Sequence, residues 1–151
     1  METEYGAEGV RLHLASTPDI EEYTFGMEDC PDLIPSIAVA ASQRIKKTII
    51  QGVSTLRIKE CDRVHALKTE LAKFGVRLEE IGEETIVIHQ SNQHQHEGAT
   101  LEFYNDHRMA MCLAPLAALH SSLELNQKEV VEKSFPSFWT ELAKTGVTLT
   151  P

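Results

Sequence analysis

The sequence predicts a mixed α/β fold built from two successive units of the order strand–helix–strand–helix–strand. Two kinds of segment alternate along the chain: segments with β-branched or alternating side chains, and segments whose apolar residues recur at helical spacing. The same order starts again after a polar tract at residues 90–98. With 42% hydrophobic and 25% charged residues, the 151-residue chain suits one globular domain with its own core. A doubly wound open sheet is the alternative architecture.

The first unit begins with a predicted strand at residues 9–14, whose side chains alternate in type as in a half-buried strand. A helix is expected to start at Asp32 or Pro35 and to end near Gln43. Its run at 37–41 is apolar nearly all round, which is typical of a helix packed between other elements. Residues 47–53 have the β-branched content of a second strand.

The rest of this unit contains the clearest helix of the sequence, at about 62–74. Its apolar residues form one stripe and Gly75 follows as a C-terminal stop. Residues 76–81 and 85–89 flank the turn 82–84 and predict a β-hairpin. The polar tract at 90–98 predicts a loop.

The second unit repeats this order with shorter elements. Its expected strands are residues 100–104, 122–125 and 147–150, and its expected helices are residues 107–119 and 135–144. Pro115 should kink the first of these helices, because it removes a backbone donor. Pro136 suits the first turn of the last helix and Gly146 suits its end.

Charge, hydropathy and cysteine pattern exclude several classes of function. A formal net charge of −9 argues against nucleic acid or an anionic membrane as a partner. The sequence has neither a long apolar run nor a signal peptide at its start, which predicts a cytoplasmic protein. Three widely spaced cysteines predict reduced thiols. We expect no cofactor and no metal, and the His94-x-His96 pair is interpreted as exposed polar residues.

The first candidate site is the segment 56–63, Leu-Arg-Ile-Lys-Glu-Cys-Asp-Arg, at the start of the predicted helix 62–74. Taken alone, it is interpreted best as a helix cap with solvated charges. The functional alternative is an anion site, because Lys59 and Arg63 could converge on a phosphate or carboxylate next to free backbone N–H groups.

The second candidate site is the segment 104–111, Tyr-Asn-Asp-His-Arg-Met-Ala-Met, at another strand-to-helix junction. Asn105 or Asp106 suits an N-cap, with His107 and Arg108 in the first helical turn. An arginine at a helix N-terminus opposes the helix dipole, so a purely structural role is unfavourable there. The pattern favours a functional cation.

Together these segments resemble the 5-enolpyruvylshikimate-3-phosphate synthase family. The segment 56–63 resembles that family's Lys-Glu-Ser/Thr-Asp-Arg motif, and 104–111 is similar to its second C-terminal signature. Pro31-Asp32 precedes them and Lys133-Ser-Phe-Pro136 follows, in the order and spacing of the family. The resemblance implies consecutive β-α-β-α-β-β units of the enolpyruvyl transferase type, with sheets on one side of packed helices.

The resemblance also implies an activity and residue roles. The family transfers the enolpyruvyl group of phosphoenolpyruvate to shikimate 3-phosphate, in the biosynthesis of aromatic amino acids. The implied catalytic residues are Asp32 at the target hydroxyl, Glu60 at the methylene carbon, and His107 beside the cations that hold phosphoenolpyruvate. The implied substrate-binding residues are Lys59 for shikimate 3-phosphate and Arg63, Arg108 and Lys133 for phosphoenolpyruvate. All of these except His107 are expected to gather on one face.

The chain also departs from the family pattern. Cys61 stands where Ser or Thr is usual, and Thr55 where Asn is sometimes found. The N-terminal domain of the family, expected as a partner, has no counterpart, so the chain is predicted to be part of a C-terminal domain and inactive alone. A non-catalytic anion-binding fragment and a domain like UDP-N-acetylglucosamine enolpyruvyl transferase are the alternatives.

Overall fold

In the computed structural model, the described residues are 2–6, 9–13, 20–91 and 97–150, with side chains described over 20–91 and 98–150. Strands β1 (Glu2–Gly6) and β2 (Gly9–His13) pair antiparallel as a separate two-stranded sheet. Strand β2 confirms the prediction at 9–14, whose last residue lies outside the described residues. It does not open the first unit, however, because it joins no strand of that unit's sheet.

The first unit spans residues 20–89 and has the order β-α-β-α-β-β. Its elements are β3 (Ile20–Gly26), α1 (Ile34–Ser42), β4 (Ile45–Gln51), α2 (Arg63–Ala72), β5 (Arg77–Ile81) and β6 (Thr85–His89). The sheet has the strand order β3-β4-β6-β5, in which only the first pair is parallel. The predicted hairpin is confirmed in the antiparallel β5–β6 pair. Strand β3 was not predicted.

Helix α2 shows how the sequence fixes an element's ends. The side chain of Asp62 accepts a hydrogen bond from the backbone N–H of His65 at 3.0 Å and caps the helix. At the other end Gly75 has φ 72°, a left-handed conformation that glycine adopts without a Cβ clash. Both signals were present in the sequence, and the helix lies within the range predicted.

The second unit has β7 (Glu97–Leu101), α3 (His107–Leu113), β8 (Ser122–Leu125) and α4 (Phe138–Ala143). Strands β7 and β8 pair parallel. The helix predicted at 107–119 becomes a 3-10 helix at Ala114–Ala118, because Pro115 cannot donate the α-helical hydrogen bond.

Three expectations in this part of the chain need correction. Strand β7 starts at Glu97, so the polar tract ends earlier than predicted. The last helix starts at Phe138, which leaves Pro136 before its first turn. Residues 147–150 form no strand, and a 3-10 helix at Lys128–Lys133 was not foreseen.

The helices pack together and the four-stranded sheet covers one side of them. Helix α1 contacts α2 and α3 as well as β4 and β6. In β4 the side chains of Thr48 and Ile50 are buried, whereas those of Lys47 and Ile49 are only half-buried, as expected for a sheet with one covered face. One core cluster, from Met27 to Leu142, joins both units. Among the described residues no helix is long and apolar enough to cross a membrane.

Candidate active site

Four predicted site residues of the first unit lie at one edge of its sheet. Asp32 is in the 3-10 helix Pro31–Leu33 that follows β3. Lys59 and Glu60 follow the 3-10 helix Ser54–Ile58, which itself follows β4. Because β3 and β4 are parallel, their carboxyl ends meet at the same edge. Helix α2 starts at the same edge, and Arg63 is its first residue.

The second unit places its predicted residues against this edge. Asp106 caps α3, so His107 and Arg108 stand in the first turn of that helix. The side chain of Arg108 crosses to the first unit, where Nη2 lies 3.1 Å from Asp32 Oδ2 and Nη1 donates to the backbone carbonyl of Asp32 at 3.3 Å. Lys133 ends the 3-10 helix Lys128–Lys133 and lies 3.9 Å from Glu60 Oε1.

Asp32 is the centre of the cluster. Its carboxylate faces Lys59 Nζ at 3.6 Å, Arg63 Nη1 at 3.2 Å and Arg108 Nη2 at 3.1 Å. Burial alone would raise the pKa of Asp32, but the charges of Arg108 and Lys59 and the hydrogen bond from Arg63 outweigh it and hold the pKa below its ordinary value. The carboxyl group is therefore ionised at neutral pH.

Arg63 forms the buried floor of the cluster. Its side chain is only 1% exposed, and its Nε donates to Asp106 Oδ2 at 2.7 Å, while Asp106 is fully buried. Nη2 donates to Glu60 Oε2 at 2.8 Å. Burial would raise the pKa of Asp106, yet the hydrogen bonds from Arg63 and from the backbone N–H of Arg108 lower it. The pair is ionised and its charges are compensated inside the protein.

Cys61 lies beside this pair and is not an activated thiol. Its Sγ donates to Asp106 Oδ2 at 3.6 Å. Burial and the negative charge of Asp106 raise the pKa of Cys61 to about 12. The cysteine therefore takes the place of a hydroxyl as a weak donor and supplies no nucleophile at neutral pH.

The structure brings together six of the seven residues predicted for the site, which are Asp32, Lys59, Glu60, Arg63, Arg108 and Lys133. His107 begins α3 next to Arg108, but within the described part of the chain no hydrogen bond or ion pair joins its side chain to the six. From the sequence, Asp106 is expected only as a candidate helix cap. Its role as the buried partner of Arg63 depends on a contact across 43 positions, which no local pattern reveals.

The arrangement can hold an anion at a solvent-facing edge. Four cations surround three carboxylates, and the side chains of Lys59, Arg108 and Lys133 are 32%, 37% and 71% exposed. A phosphate or carboxylate can reach these three, whereas Arg63 is already enclosed by carboxylates. Over the described ranges no three potential metal ligands are grouped together, and His94 and His96 lie outside them.

Comparison with known proteins gives one consistent family. The family model described as EPSP synthase (3-phosphoshikimate 1-carboxyvinyltransferase) matches residues 4–142. A 3-phosphoshikimate 1-carboxyvinyltransferase of Bacteroides fragilis is 33% identical over 95% of this chain, and one of Clostridium acetobutylicum is 40% identical over 78%. EPSP synthase from Acinetobacter baumannii has a similar structure, with TM-score 0.66 and 30% identity over 80% of this chain.

These matches span only part of each relative. The chain covers 35% of the Bacteroides protein, 27% of the Clostridium protein and 28% of the Acinetobacter structure. The chain therefore spans about a third or less of the length of the relatives that it matches.

Proposed function

We propose that this chain, which belongs to the EPSP synthase family, supplies one wall of an active site for enolpyruvyl transfer. The full reaction would move the enolpyruvyl group of phosphoenolpyruvate to the 5-hydroxyl of shikimate 3-phosphate and release phosphate. The observation that carries the proposal is the convergence of Lys59, Arg63 and Arg108 on the single carboxylate of Asp32, from segments as far apart as 76 positions. Such a cluster suits two anionic substrates that must meet at one hydroxyl.

The cations would divide between the substrates according to their position. We assign Arg108 and the exposed Lys133 to the phosphate and carboxylate of phosphoenolpyruvate, and Lys59 to shikimate 3-phosphate. Arg63 would act with the phosphoenolpyruvate cations, but its guanidinium reaches a ligand only where Asp32 or Glu60 gives way. His107 would stand beside them at the helix start.

The carboxylates would move the protons. In the addition step, the hydroxyl oxygen forms a bond to the central carbon of phosphoenolpyruvate, Asp32 takes the hydroxyl proton and Glu60 delivers a proton to the methylene carbon. In the elimination step these proton roles are reversed: Glu60 takes a proton from the resulting methyl carbon and Asp32 returns its proton to the departing phosphate. The bond between carbon and the phosphate oxygen breaks, which forms the enol ether. Asp32 is a weak base while its three cations hold it. Substrate anions that take over Arg108 and Lys59 would raise its pKa and make it a better base.

We expect no turnover by this chain alone. Enzymes supply about 8 kcal/mol or more of transition-state stabilisation, much of it by fixing both reactants between preorganised groups. When only one side of the active-site cleft is present, the cations face bulk water and each contact to an anion is screened by solvent. What remains is weak, salt-sensitive binding of phosphate or sulfate.

A coupled phosphate-release assay tests the proposal. The chain would be assayed alone and together with the remaining N-terminal part of a family relative, with Asp32→Ala and Arg108→Ala as site variants. Glu22→Gln is the control, because it removes an exposed carboxylate whose partner is Lys47, at the opposite end of the parallel strands. Turnover only with the added part, lost in both site variants and kept in the control, supports the proposal. Saturable phosphate binding with no turnover in any combination would favour the non-catalytic fragment instead.

A further inference from the structure

Glu70 is a fully buried carboxylate that the proposed reaction does not use. It lies in α2, seven positions after Arg63, and its side chain is 0% exposed. Its Oε2 accepts from Lys73 Nζ at 2.7 Å and from the backbone N–H of Glu102 at 3.1 Å, and its Oε1 accepts from the hydroxyl of Tyr104 at 2.9 Å. Lys73 also donates to the carbonyl of Thr100 at 2.7 Å. A buried charge needs such pairing, and here two of its three partners, Glu102 and Tyr104, belong to the other unit.

The segment that Glu70 holds has an unfavourable backbone. Tyr104 and Asn105 both have φ 56°, so two consecutive non-glycine residues adopt the left-handed conformation. This region is uncommon for a bulky side chain and persists only where the surroundings enforce it. Immediately after this bend come Asp106, the cap of α3, and Arg108, whose guanidinium contacts Asp32. The bend therefore sets where Arg108 stands.

Helix α2 contacts this segment at two points two helical turns apart. Arg63, at its start, binds Asp106, and Glu70 binds Glu102 and Tyr104. The first contact belongs to the site itself, whereas the second lies behind it. Burial and the hydrogen bond to Glu70 raise the pKa of Tyr104 to about 12, so its hydroxyl keeps its proton and remains a donor.

We propose that Glu70 is a positioning residue of the anion site, which acts through Tyr104 and the backbone of Glu102 to fix the bend that carries Arg108. The inference rests on the proposed function. In this role Glu70 does more than stabilise the fold, because it keeps Arg108 of the second unit aligned with Asp32 of the first unit. Loss of the Glu70–Tyr104 hydrogen bond should loosen residues 104–108 and weaken anion binding while the sheet stays intact.

Tyr104→Phe is the sharpest test, because it keeps the ring and removes the hydroxyl that donates to Glu70 and also bonds to the side chain of Thr69, another residue of α2. Glu70→Gln is the second variant, because it replaces one of the two oxygens that accept from Lys73, Glu102 and Tyr104 by an NH2 group that cannot accept. Glu22→Gln again serves as the control. Two measurements are made on each protein by NMR: amide hydrogen exchange along the chain, and titration with inorganic phosphate. We expect exchange at residues 105–108 to rise about tenfold in both test variants, with β4 and β6 unchanged, and phosphate affinity to fall by a similar factor.

The outcomes separate the inference from the function on which it rests. Exchange that is unchanged at 105–108, or that rises equally in β4 and β6, overturns the positioning role. Local loosening with unaltered phosphate affinity overturns it as well. If the unmodified chain binds no phosphate at all, the proposed function fails, and hydrogen exchange alone then decides whether Glu70 fixes the bend.

Discussion

Arg63→Met should destabilise the fold far more than the matched change Arg108→Met. Both arginines form ion pairs with Asp32, so both changes remove the same contact and the same charge. They differ in what is left behind. Without Arg63, the fully buried carboxylate of Asp106 loses its partner at 2.7 Å, whereas Arg108 leaves only Asp32, whose side chain is 45% exposed.

The expected magnitudes follow from that difference. Removal of one partner from a buried ion pair costs about 3–5 kcal/mol, because the remaining charge is uncompensated. Asp106 keeps the N–H of Arg108 at 2.8 Å and the thiol of Cys61 at 3.6 Å, so the lower end of this range applies. Loss of a solvent-exposed pair costs about 1 kcal/mol or less. The two variants should therefore differ by about 2 kcal/mol or more.

The difference should also depend on pH. In the unmodified chain the pKa of Asp106 is held below its ordinary value, so its ionisation stabilises the fold at pH values above the pKa of the unfolded chain, and this contribution is lost as the pH falls through the lowered pKa. In Arg63→Met, burial without the guanidinium raises the pKa, so the ionised group destabilises the fold at neutral pH. This penalty disappears as the pH falls from the raised pKa to the unfolded value of about 3.9.

Urea unfolding followed by circular dichroism at pH 7 and again near pH 4.5 measures both effects. The free energy of unfolding of the unmodified chain should lie within the usual range of about 5–15 kcal/mol, which leaves room for the loss. The gap between Arg63→Met and Arg108→Met should narrow at the lower pH. Equal losses in the two variants at pH 7, within about 0.5 kcal/mol, would refute the reasoning from buried charge.

Three further outcomes are expected. Asp32→Asn should raise sulfate affinity by about tenfold in a calorimetric titration, because it removes the anion that competes for Arg108; weaker binding would contradict this. Lys133→Ala, at a side chain 71% exposed, should change the free energy of unfolding by less than about 0.5 kcal/mol yet lower sulfate affinity. Gly52→Ala should cost about 2 kcal/mol more than Gly82→Ala in urea unfolding. A Cβ at Gly52 would lie 2.8 Å from a backbone nitrogen, whereas Gly82 faces open space. Similar losses would show that the cost comes from the positive φ of both glycines and not from this close contact.

The elements that could be predicted from the sequence are those whose buried apolar residues recur at a regular spacing. Helix α2 has an apolar stripe and clear signals at both ends, and β6 is a short apolar run beside a turn, so both were found. Strand β3 was missed because it is an edge strand paired only with β4, and most of its side chains are exposed. Nothing in its pattern marks a buried face. The strand expected at 147–150 is the opposite case. Its side chains alternate in type, but the segment forms no strand, because alternation alone does not supply a partner strand.

The site was predictable in its motif residues but not in the groups that support them. Lys59, Arg63 and Arg108 stand in segments of unusual composition at helix starts, so they could be singled out. Glu70 left a fainter signal, an acid on the apolar side of α2, three positions after Leu67 and four before Phe74. Such an acid must be paired inside the fold. Its partners lie 32 and 34 positions away, and only the tertiary structure identifies them.

In the proposed reaction, substrate binding and catalysis depend on the same ion pairs. Asp32 already occupies Arg108 and Lys59, so an incoming phosphate or carboxylate exchanges one anion for another and gains little in the isolated chain. The carboxylate that it displaces then lacks compensation in a site with less water, and its pKa rises. At that point a hydroxyl proton within reach relieves the unpaired charge of Asp32. A second wall of the proposed site would therefore have two tasks: it would have to bind the substrates tightly enough to drive this exchange, and it would have to hold the hydroxyl against Asp32 while the exchange lasts.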